Sequence, residues 1–249
     1  MNYLILLRHG QSQWNLENRF TGWTNVSLTK NGESEAKKAG ILLNDYNIQI
    51  NLAYVSYLKR AVSTYKICQK QLKNTNIEVL FDWRLNERHY GSLQGLNKAQ
   101  TAKKYGNQQV LIWRRSYDTR PPSLDKNDKR HPKYDNLYKN IDHKELPTSE
   151  SLKDTLERVK PLWVNNILPQ IKNGKNILIV AHGNSLRAIV KILKKITNKD
   201  IISLNIPTGV PYIFEMNENL DVKKDYFLGD QNKILKQIND VSEQGKSKN

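Results

Sequence analysis

Two apolar runs in this chain end in the same way, and they constrain the fold more than any other feature. "YLILLRHGQS" begins at Tyr3 and "ILIVAHGNS" begins at Ile177, and each passes from apolar residues into His-Gly, an amide residue and serine. Continuous apolar runs of this length are typical of parallel strands buried on both faces. Both histidines are therefore predicted at the carboxyl ends of buried strands, the edge where open α/β sheets bind ligands.

Strand and helix patterns alternate along most of the chain. "SLTKNGESEAKKAGILL" has helical spacing with Thr29 as its N-cap, and "NLAYVSYL" and "IEVLF" read as strands on either side of the helical "KRAVSTYKICQKQL". "SESLKDTLERVKPLWVNNIL" is a further helix, and "PYIFEM" is expected to be the last strand. Such alternation requires right-handed crossovers between parallel strands. It predicts an α/β fold, a three-layer, doubly wound, mostly parallel sheet with helices on both faces.

Residues 86–147 interrupt this alternation. They contain two helical patterns, "LNKAQTAKKYG" and "QQVLIWRRS", and a polar stretch with prolines, but no strand pattern. A long irregular segment inside a compact domain is usually a lid or a binding loop. We therefore expect one domain, 1–249, with a lid-like insertion over the active site at 86–147. The basic tail at 229–249 is expected to be mobile.

Composition limits where the protein works and which partners it has. No run approaches the roughly 18 apolar residues that span a bilayer, and the first residues lack a signal-peptide pattern. The single cysteine, Cys68, excludes an internal disulfide. These features predict a cytoplasmic protein. The net charge of +16 suits nucleic acid, a membrane surface or small acidic substrates. Because the lysines are scattered as on a solvated surface, nucleic-acid and membrane partners are not expected.

The five histidines differ in their sequence context. We expect His131 and His143, in the polar part of the insertion, to lie at the surface. His89, in "NERHYG", is left open between a structural and a functional role. His9 and His182 share one context at two strand ends, and this repetition makes them the candidate functional pair.

A pocket at these strand ends could hold a metal ion or a phosphate. The two histidines with Glu87 could form a His₂Glu metal site. Arginines beside them argue against it, because they would repel a divalent cation by several kcal/mol in a partly desolvated site. Arginine suits phosphoryl and carboxylate groups. We therefore predict an anion site without metal, with a nonenzymatic polyanion-binding protein as the alternative of another class. The arginines concerned are Arg8, Arg60, Arg114 and Arg115.

Longer motifs carry a family resemblance. "LLRHGQSQWN" and "AHGNSLRA" resemble the two histidine motifs of the histidine phosphatase superfamily. With "RFTGWTNVSLTKNGESEA", "SYLKRAVST", "LNERHYGSLQGLNK", "WRRSYDTRPP", "LPTSESLKDTLERV" and "IPTGVPYIFE", the chain resembles the 2,3-bisphosphoglycerate-dependent phosphoglycerate mutases from about Tyr3 to Phe227.

The resemblance implies an activity and the residues that perform it. The activity is the interconversion of 3-phosphoglycerate and 2-phosphoglycerate through a phosphohistidine, with 2,3-bisphosphoglycerate as primer and no metal. His9 would carry the phosphoryl group, with its second ring nitrogen held as a donor by a backbone carbonyl. Glu87 would be the general acid and base, unless it is a surface ion pair with Arg84 or Arg88. The implied phosphate clamp consists of Arg8, Arg60, His182, Asn15, Gly183 and Asn184.

The resemblance also implies residues that orient the substrate. Thr21 and Gly22 would lie in a loop that closes one side of the pocket. The implied carboxylate and second-phosphate ligands are Tyr90, Lys98, Arg114 and Arg115. The remaining predicted binding residues are Gly10, Gln11, Ser12, Gln13, Trp14, Arg88 and His89. A bisphosphoglycerate synthase and a broad histidine-type phosphatase stay open as alternatives, and the family resemblance predicts a homodimer or homotetramer.

Overall fold

A six-stranded sheet organises residues 2–74 and 76–243, the part of the chain described by the structure, a computed structural model. The strand order is β3-β2-β4-β1-β5-β6. The first four strands of this order are mutually parallel, whereas β5 is antiparallel to β1 and β6 is antiparallel to β5. The strands are β1 (Asn2–Arg8), β2 (Leu52–Val55), β3 (Glu78–Phe81), β4 (Ile177–Ala181), β5 (Pro211–Met216) and β6 (Val222–Phe227).

Helices cover both faces of the sheet, because successive strand residues point to opposite sides. Leu4 and Leu6 face a core that includes residues of α6 and α8. Ile5 and Leu7 face a second core built with α2 and α3. The helices are α1 (Gln13–Leu16), α2 (Lys30–Asp45), α3 (Lys59–Gln69), α4 (Lys98–Tyr105), α5 (Asn107–Arg115), α6 (Leu152–Leu162), α7 (Leu168–Lys172), α8 (Gly183–Lys194) and α9 (Gln231–Glu243).

This architecture confirms the predicted fold class, a mostly parallel sheet between two helical layers. Thr29 caps α2 as expected, with its side chain accepting from the Gly32 N–H. The prediction that "PYIFEM" is the last strand is wrong, because β6 follows it. β6 is an edge strand with one neighbour, so half of its residues are polar and it lacks the continuous apolar run that marks a central strand.

The segment 86–147 contains no strand, as predicted. Its two helical patterns form α4 and α5, and the rest is loop with short 3₁₀ turns. The expectation that His131 lies at the surface is wrong. Only 5% of His131 is exposed, and its Nδ1 accepts from the Lys133 N–H at 3.1 Å, capping a 3₁₀ turn. The imidazole folds inward because it satisfies that backbone donor, whereas His143 is exposed as expected.

The C-terminal part of the chain forms α9, which the sequence analysis did not predict. Ile234 on this helix is buried, and Arg115 donates to the Val241 carbonyl at 3.2 Å. Residues 244–249 of the predicted tail lie outside the described residues. No helix within 2–74 and 76–243 has the length and apolar character needed to cross a membrane.

Candidate active site

Two histidines lie side by side at the carboxyl edge of the sheet. β1 and β4 are parallel neighbours, with Arg8 opposite Ala181 in the register, so the residues that follow them meet. The His9 N–H donates to the Ala181 carbonyl at 3.0 Å. The ring centroids of His9 and His182 are 4.9 Å apart. The predicted pair is thus brought together by strand register.

His9 presents a neutral imidazole with a defined tautomer. Its Nδ1 lies 2.7 Å from the Gly10 carbonyl oxygen, which can only accept, so Nδ1 carries the proton. Nε2 keeps its lone pair and accepts from the Arg60 Nε–H at 3.2 Å. Burial, followed by the charges of Arg60 and Arg8, lowers the pKa of His9 well below its usual value. Nε2 is therefore the ring atom available as a nucleophile.

His182 has the opposite tautomer. Its Nε2 lies 2.8 Å from the Ser56 hydroxyl oxygen, and Ser56 donates its own proton to Asn86 Oδ1 at 2.8 Å. Because that proton is already engaged, His182 Nε2–H must be the donor to Ser56. Among the described residues, its Nδ1 has no hydrogen-bond partner. Burial, then Arg60 and His9, lower the pKa of His182 well below its usual value.

Two buried arginines surround the histidine pair. Arg60 donates to the carbonyls of Thr24 and Gly22 at 2.9 and 2.8 Å, which connects the loop after α1 to His9. Burial lowers the pKa of Arg60 to about 10. Arg8 donates through Nη1 to the Ile206 carbonyl at 2.8 Å, while its buried Nε has no partner among residues 2–74 and 76–243.

Glu87 lies beside Arg8 at the first turn of α8. A Cβ added to Gly183 would be 3.7 Å from both Arg8 Cζ and Glu87 Oε2, so these side chains flank the same glycine. Glu87 Oε1 accepts from the N–H groups of Arg88 and Asn184 at 2.8 and 3.1 Å.

The alternative reading of Glu87 as a surface ion pair is wrong. Only 9% of Glu87 is exposed. The Arg84 side chain pairs with Asp82 at 2.6 Å. The Arg88 guanidinium lies over the Tyr90 ring, 4.6 Å from its centroid, and binds Glu87 only through its backbone N–H. The carboxylate is held by backbone donors because the chain turns there against the N-terminus of α8.

A strongly cationic pocket opens next to this centre. Its lining includes six cationic side chains and one carboxylate. Burial and the neighbouring arginines lower the pKa of Lys98 well below its usual value and that of Arg114 to about 10. Such crowding is relieved when an anion binds between the cations. The predicted residues that line it are Arg8, Asn15, Thr21, Gly22, Glu87, Tyr90, Lys98, Arg114, Arg115, Gly183 and Asn184.

Five further lining residues were missed by the sequence analysis. They are Arg19, Arg187, Asn205, Ile206 and Val241. Arg187 is the most informative, since it is 3% exposed and donates to Asn184 Oδ1 at 2.9 Å. Arg187 is part of "AHGNSLRA" and lies one helical turn after Gly183, so it could have been predicted from the sequence to face the same pocket. Asn205, Ile206 and Val241 reach the pocket only through the tertiary fold.

Several predicted binding residues do not line the pocket. Gly10 packs against α2, where an added Cβ would lie 2.2 Å from the Gly32 oxygen. Ser12 caps α1 through Asn15, and Gln13 is exposed and pairs with Glu17. Gln11, Trp14, Arg88 and His89 are also outside the lining, and His9, Arg60 and His182 lie beside the pocket and not in its lining. A direct contact with substrate stays a prediction for all of these residues.

His89, left open from sequence, has a structural environment. It is fully buried against the Trp23 ring, and its Nδ1 accepts from the Gly91 N–H at 3.1 Å. Burial, followed by the charge of His131, lowers its pKa to about 3. His89 therefore stays neutral, and its hydrogen bond with the Gly91 N–H stabilises the loop that leads from Glu87 into the insertion.

Comparisons with known proteins agree with this geometry. The model of the histidine phosphatase superfamily (branch 1) matches residues 4–128 and 123–224. A Bacteroides thetaiotaomicron protein named 2,3-bisphosphoglycerate-dependent phosphoglycerate mutase 2 is 54% identical over 248 residues, covering 100% of both chains. A Porphyromonas gingivalis protein named 2,3-bisphosphoglycerate-dependent phosphoglycerate mutase is 53% identical over the same length, again with full coverage of both.

Solved structures share the fold at lower identity. A mycobacterial glucosyl-3-phosphoglycerate phosphatase in complex with VO3 is 22% identical, with a TM-score of 0.69 over 91% of this chain and 97% of that one. The α-ribazole phosphatase of Shigella flexneri is 19% identical, with a TM-score of 0.63 over 92% of this chain and 96% of that one.

Proposed function

This chain belongs to the histidine phosphatase superfamily, branch 1, and within it to the 2,3-bisphosphoglycerate-dependent phosphoglycerate mutases, and we propose that it interconverts 3-phosphoglycerate and 2-phosphoglycerate. The reaction passes through a phosphohistidine at His9 and is primed by 2,3-bisphosphoglycerate. One observation carries this proposal: the neutral imidazole of His9, with Nε2 unprotonated, lies beside a pocket whose lining has six cationic side chains and one carboxylate.

In the first step, His9 Nε2 attacks phosphorus and the P–O ester bond breaks. The Arg60 Nε–H, which binds Nε2 before the reaction, transfers its hydrogen bond to a phosphoryl oxygen. Arg8 stabilises the charge that spreads over the equatorial oxygens, and His182 does so once the bound phosphoryl dianion favours a proton on its Nδ1, which can then donate to one of these oxygens. Because these groups are already in place in the folded chain, little reorganisation is needed during transfer.

Glu87 moves the proton that the ester exchange requires. Its Oε1 is held by two backbone N–H groups, which leaves Oε2 to deliver a proton to the departing substrate oxygen. When the 3-phosphoryl group has been taken, 2-phosphoglycerate leaves and 3-phosphoglycerate binds. In the return step Glu87 accepts the proton of the C2 hydroxyl of this 3-phosphoglycerate, whose oxygen attacks the phosphohistidine. The P–N bond breaks, His9 is released and 2,3-bisphosphoglycerate forms again. Proton and phosphoryl group are thereby conserved over the cycle.

The additional cations of the pocket favour a mutase over a broad phosphatase. Lys98, Arg114 and Arg115 add positive charge to the lining, and we assign to them the substrate carboxylate and the second phosphate. A phosphatase that hydrolyses simple monoesters has no use for this charge. A polyanion-binding protein would not need two oriented imidazoles, so neither alternative accounts for the whole site.

Cation crowding also supports a site that works without metal. The proposed reaction needs none, because the arginines and lysine supply the charge compensation that a divalent ion would otherwise provide.

We also propose that the chain forms homodimers or homotetramers. β3 lies at one edge of the sheet, and Leu80 and Phe81 on it are 41% and 48% exposed. An apolar edge strand with unpaired backbone groups favours association with a second copy.

The function is tested by following 2-phosphoglycerate formation from 3-phosphoglycerate. We expect turnover that requires a trace of 2,3-bisphosphoglycerate and is unchanged by a chelator. Inorganic phosphate as the main product would favour the phosphatase, and loss of turnover on chelation would favour a metal site. Either result would contradict the proposal.

A further inference from the structure

A buried ion pair lies behind the segment that carries Glu87. Glu150 precedes α6 and Arg158 lies within it, and their side chains are only 4% and 6% exposed. Arg158 Nε donates to Glu150 Oε1 at 2.6 Å, and Nη2 donates to Oε2 at 2.9 Å. Neither residue lines the pocket next to the histidine pair.

Arg158 holds the backbone on the N-terminal side of the carboxylate and at the carboxylate residue itself. Its Nη1 donates to the Arg84 carbonyl at 2.7 Å and to the Asn86 carbonyl at 3.2 Å. Its Nη2 donates to the Glu87 carbonyl at 3.2 Å. With a further bond from Nη1 to the Trp83 carbonyl at 3.4 Å, one guanidinium binds four carbonyls within five consecutive residues, a pattern that suits the planar fork of arginine.

Glu150 holds the backbone on the other side. Its Oε2 accepts from the His89 N–H at 2.8 Å, and its own N–H donates to the His89 carbonyl at 2.8 Å. The ion pair therefore spans the peptide units before and after Glu87. The segment has no strand neighbours to set its path, since after the 3₁₀ turn Trp83–Leu85 regular structure resumes only at Gly91.

The energetics of such a pair favour a positioning role over a stabilising one. Desolvation of two buried charges offsets most of their attraction, so an apolar replacement of equal volume is often no less stable. What the pair supplies is geometry: carbonyls that would otherwise turn toward water are held in one arrangement, and with them the carboxylate.

We propose that Arg158, together with Glu150, is a positioning residue that orients Glu87 for proton transfer. The inference rests on the proposed function of Glu87 as general acid. A misplaced acid slows release of a leaving group that needs a proton, such as the alkoxide of a phosphoglycerate. It does not slow release of nitrophenolate, a stable anion that leaves unprotonated.

The test measures single-turnover formation of the acid-labile phosphoprotein from two donors, 2,3-bisphosphoglycerate and p-nitrophenyl phosphate. Arg158→Lys keeps the charge and loses the fork. We expect the rate with bisphosphoglycerate to fall about 100-fold, with the nitrophenyl phosphate rate close to that of the unchanged chain. Glu150→Gln, which keeps an acceptor oxygen for the His89 N–H, should show the same donor-dependent loss to a smaller extent. In the mutase assay both should lower kcat with little change in KM.

Glu87→Gln and Arg120→Lys separate the possible failures. Arg120 forms an ion pair with Asp154, which lies on α6 like Arg158. The Arg120 side chain is 61% exposed, so its substitution should change neither rate. If Glu87→Gln shows no donor-dependent loss, the general acid of the proposed function is wrong. A second outcome is that Glu87→Gln shows the donor-dependent loss, while in Arg158→Lys and Glu150→Gln the rates with the two donors fall equally or do not fall. That outcome would overturn the positioning role alone.

Discussion

At the scale of single residues, the chemistry depends on which ring nitrogen of each histidine carries a proton. The Gly10 carbonyl accepts from His9 Nδ1–H, so the proton lies on Nδ1 and Nε2 is unprotonated. The Ser56 hydroxyl sets the protonated nitrogen of His182 through its own bond to Asn86. Two imidazoles in the same sequence context thus have opposite tautomers, because their neighbours in space differ.

His9→Ala should abolish acid-labile phosphorylation of the protein by 2,3-bisphosphoglycerate. The reason is the loss of Nε2, the proposed attacking atom, which the alanine methyl group cannot replace. Phosphoprotein formation after a brief incubation with labelled donor measures this. His143→Ala, at an exposed position, is the control and should label normally. Label that persists in His9→Ala would place the nucleophile elsewhere.

Arg114→Ala should weaken substrate binding more than it slows hydrolysis of the phosphoenzyme. Arg114 lines the pocket and is proposed to hold the non-reacting part of the substrate, and a charge-assisted hydrogen bond contributes about 1.5–3 kcal/mol. We expect the Kd for 3-phosphoglycerate to rise about 10- to 100-fold, measured by calorimetry. Lys103→Ala, exposed on α4, is the matched control. Equal losses in binding and in hydrolysis would contradict a role in holding the substrate.

At the scale of elements, the two edges of the sheet differ in what they expose. β6 is lysine-rich and α9 follows it, whereas β3 presents Leu80 and Phe81. Lysine on an edge strand discourages pairing with another chain, and an exposed apolar edge favours it.

Phe81→Lys should therefore shift the chain toward the monomer. The substitution places a charge on the apolar edge of β3, and because Phe81 is 48% exposed, it should disturb the fold little. Sedimentation velocity over a concentration series measures the change. Lys223→Ala on β6 is the control for a general effect of edge substitutions. An unchanged oligomeric state in Phe81→Lys would move the interface away from this edge.

At the scale of the whole molecule, buried neutral histidines make stability depend on pH. In the folded chain the pKa values of His9, His89 and His182 lie below the usual value, that of His89 at about 3. In the unfolded chain each binds a proton below about pH 6.5. The unfolded state then holds more protons, so the free energy of unfolding falls as pH drops below that value.

The free energy of unfolding should fall by roughly 2 kcal/mol between pH 6.5 and 5 for His89 alone, at 1.36 kcal/mol per pH unit. Urea unfolding at several pH values measures the slope. His89→Gln should make the slope shallower, even though the variant is less stable at neutral pH. His143→Gln is the control. A slope unaltered by His89→Gln would mean that His89 is not neutral in the folded chain.

Much of the fold and of the site could be predicted from local pattern. The strands ending at His9 and His182 were visible as apolar runs, and their shared context indicated one edge of one sheet. β6 and α9 were missed because their faces are only partly buried, so their apolar residues are too few to stand out. His131 was placed wrongly because a polar sequence context does not show that an imidazole caps a turn.

The sequence by itself determined the chemistry available here: two histidines after buried strands, a carboxylate in a turn, and arginines suited to phosphate. These depend on residue type and on short-range spacing, which the chain carries in its own order. Only the tertiary structure decided the tautomer of each imidazole and the backbone donors that hold Glu87. It also placed Arg187, Asn205 and Val241 at the pocket. Most of these contacts join residues far apart in the chain, and even those between sequence neighbours, such as His9 with the Gly10 carbonyl, depend on distances that exist only once the layers have packed.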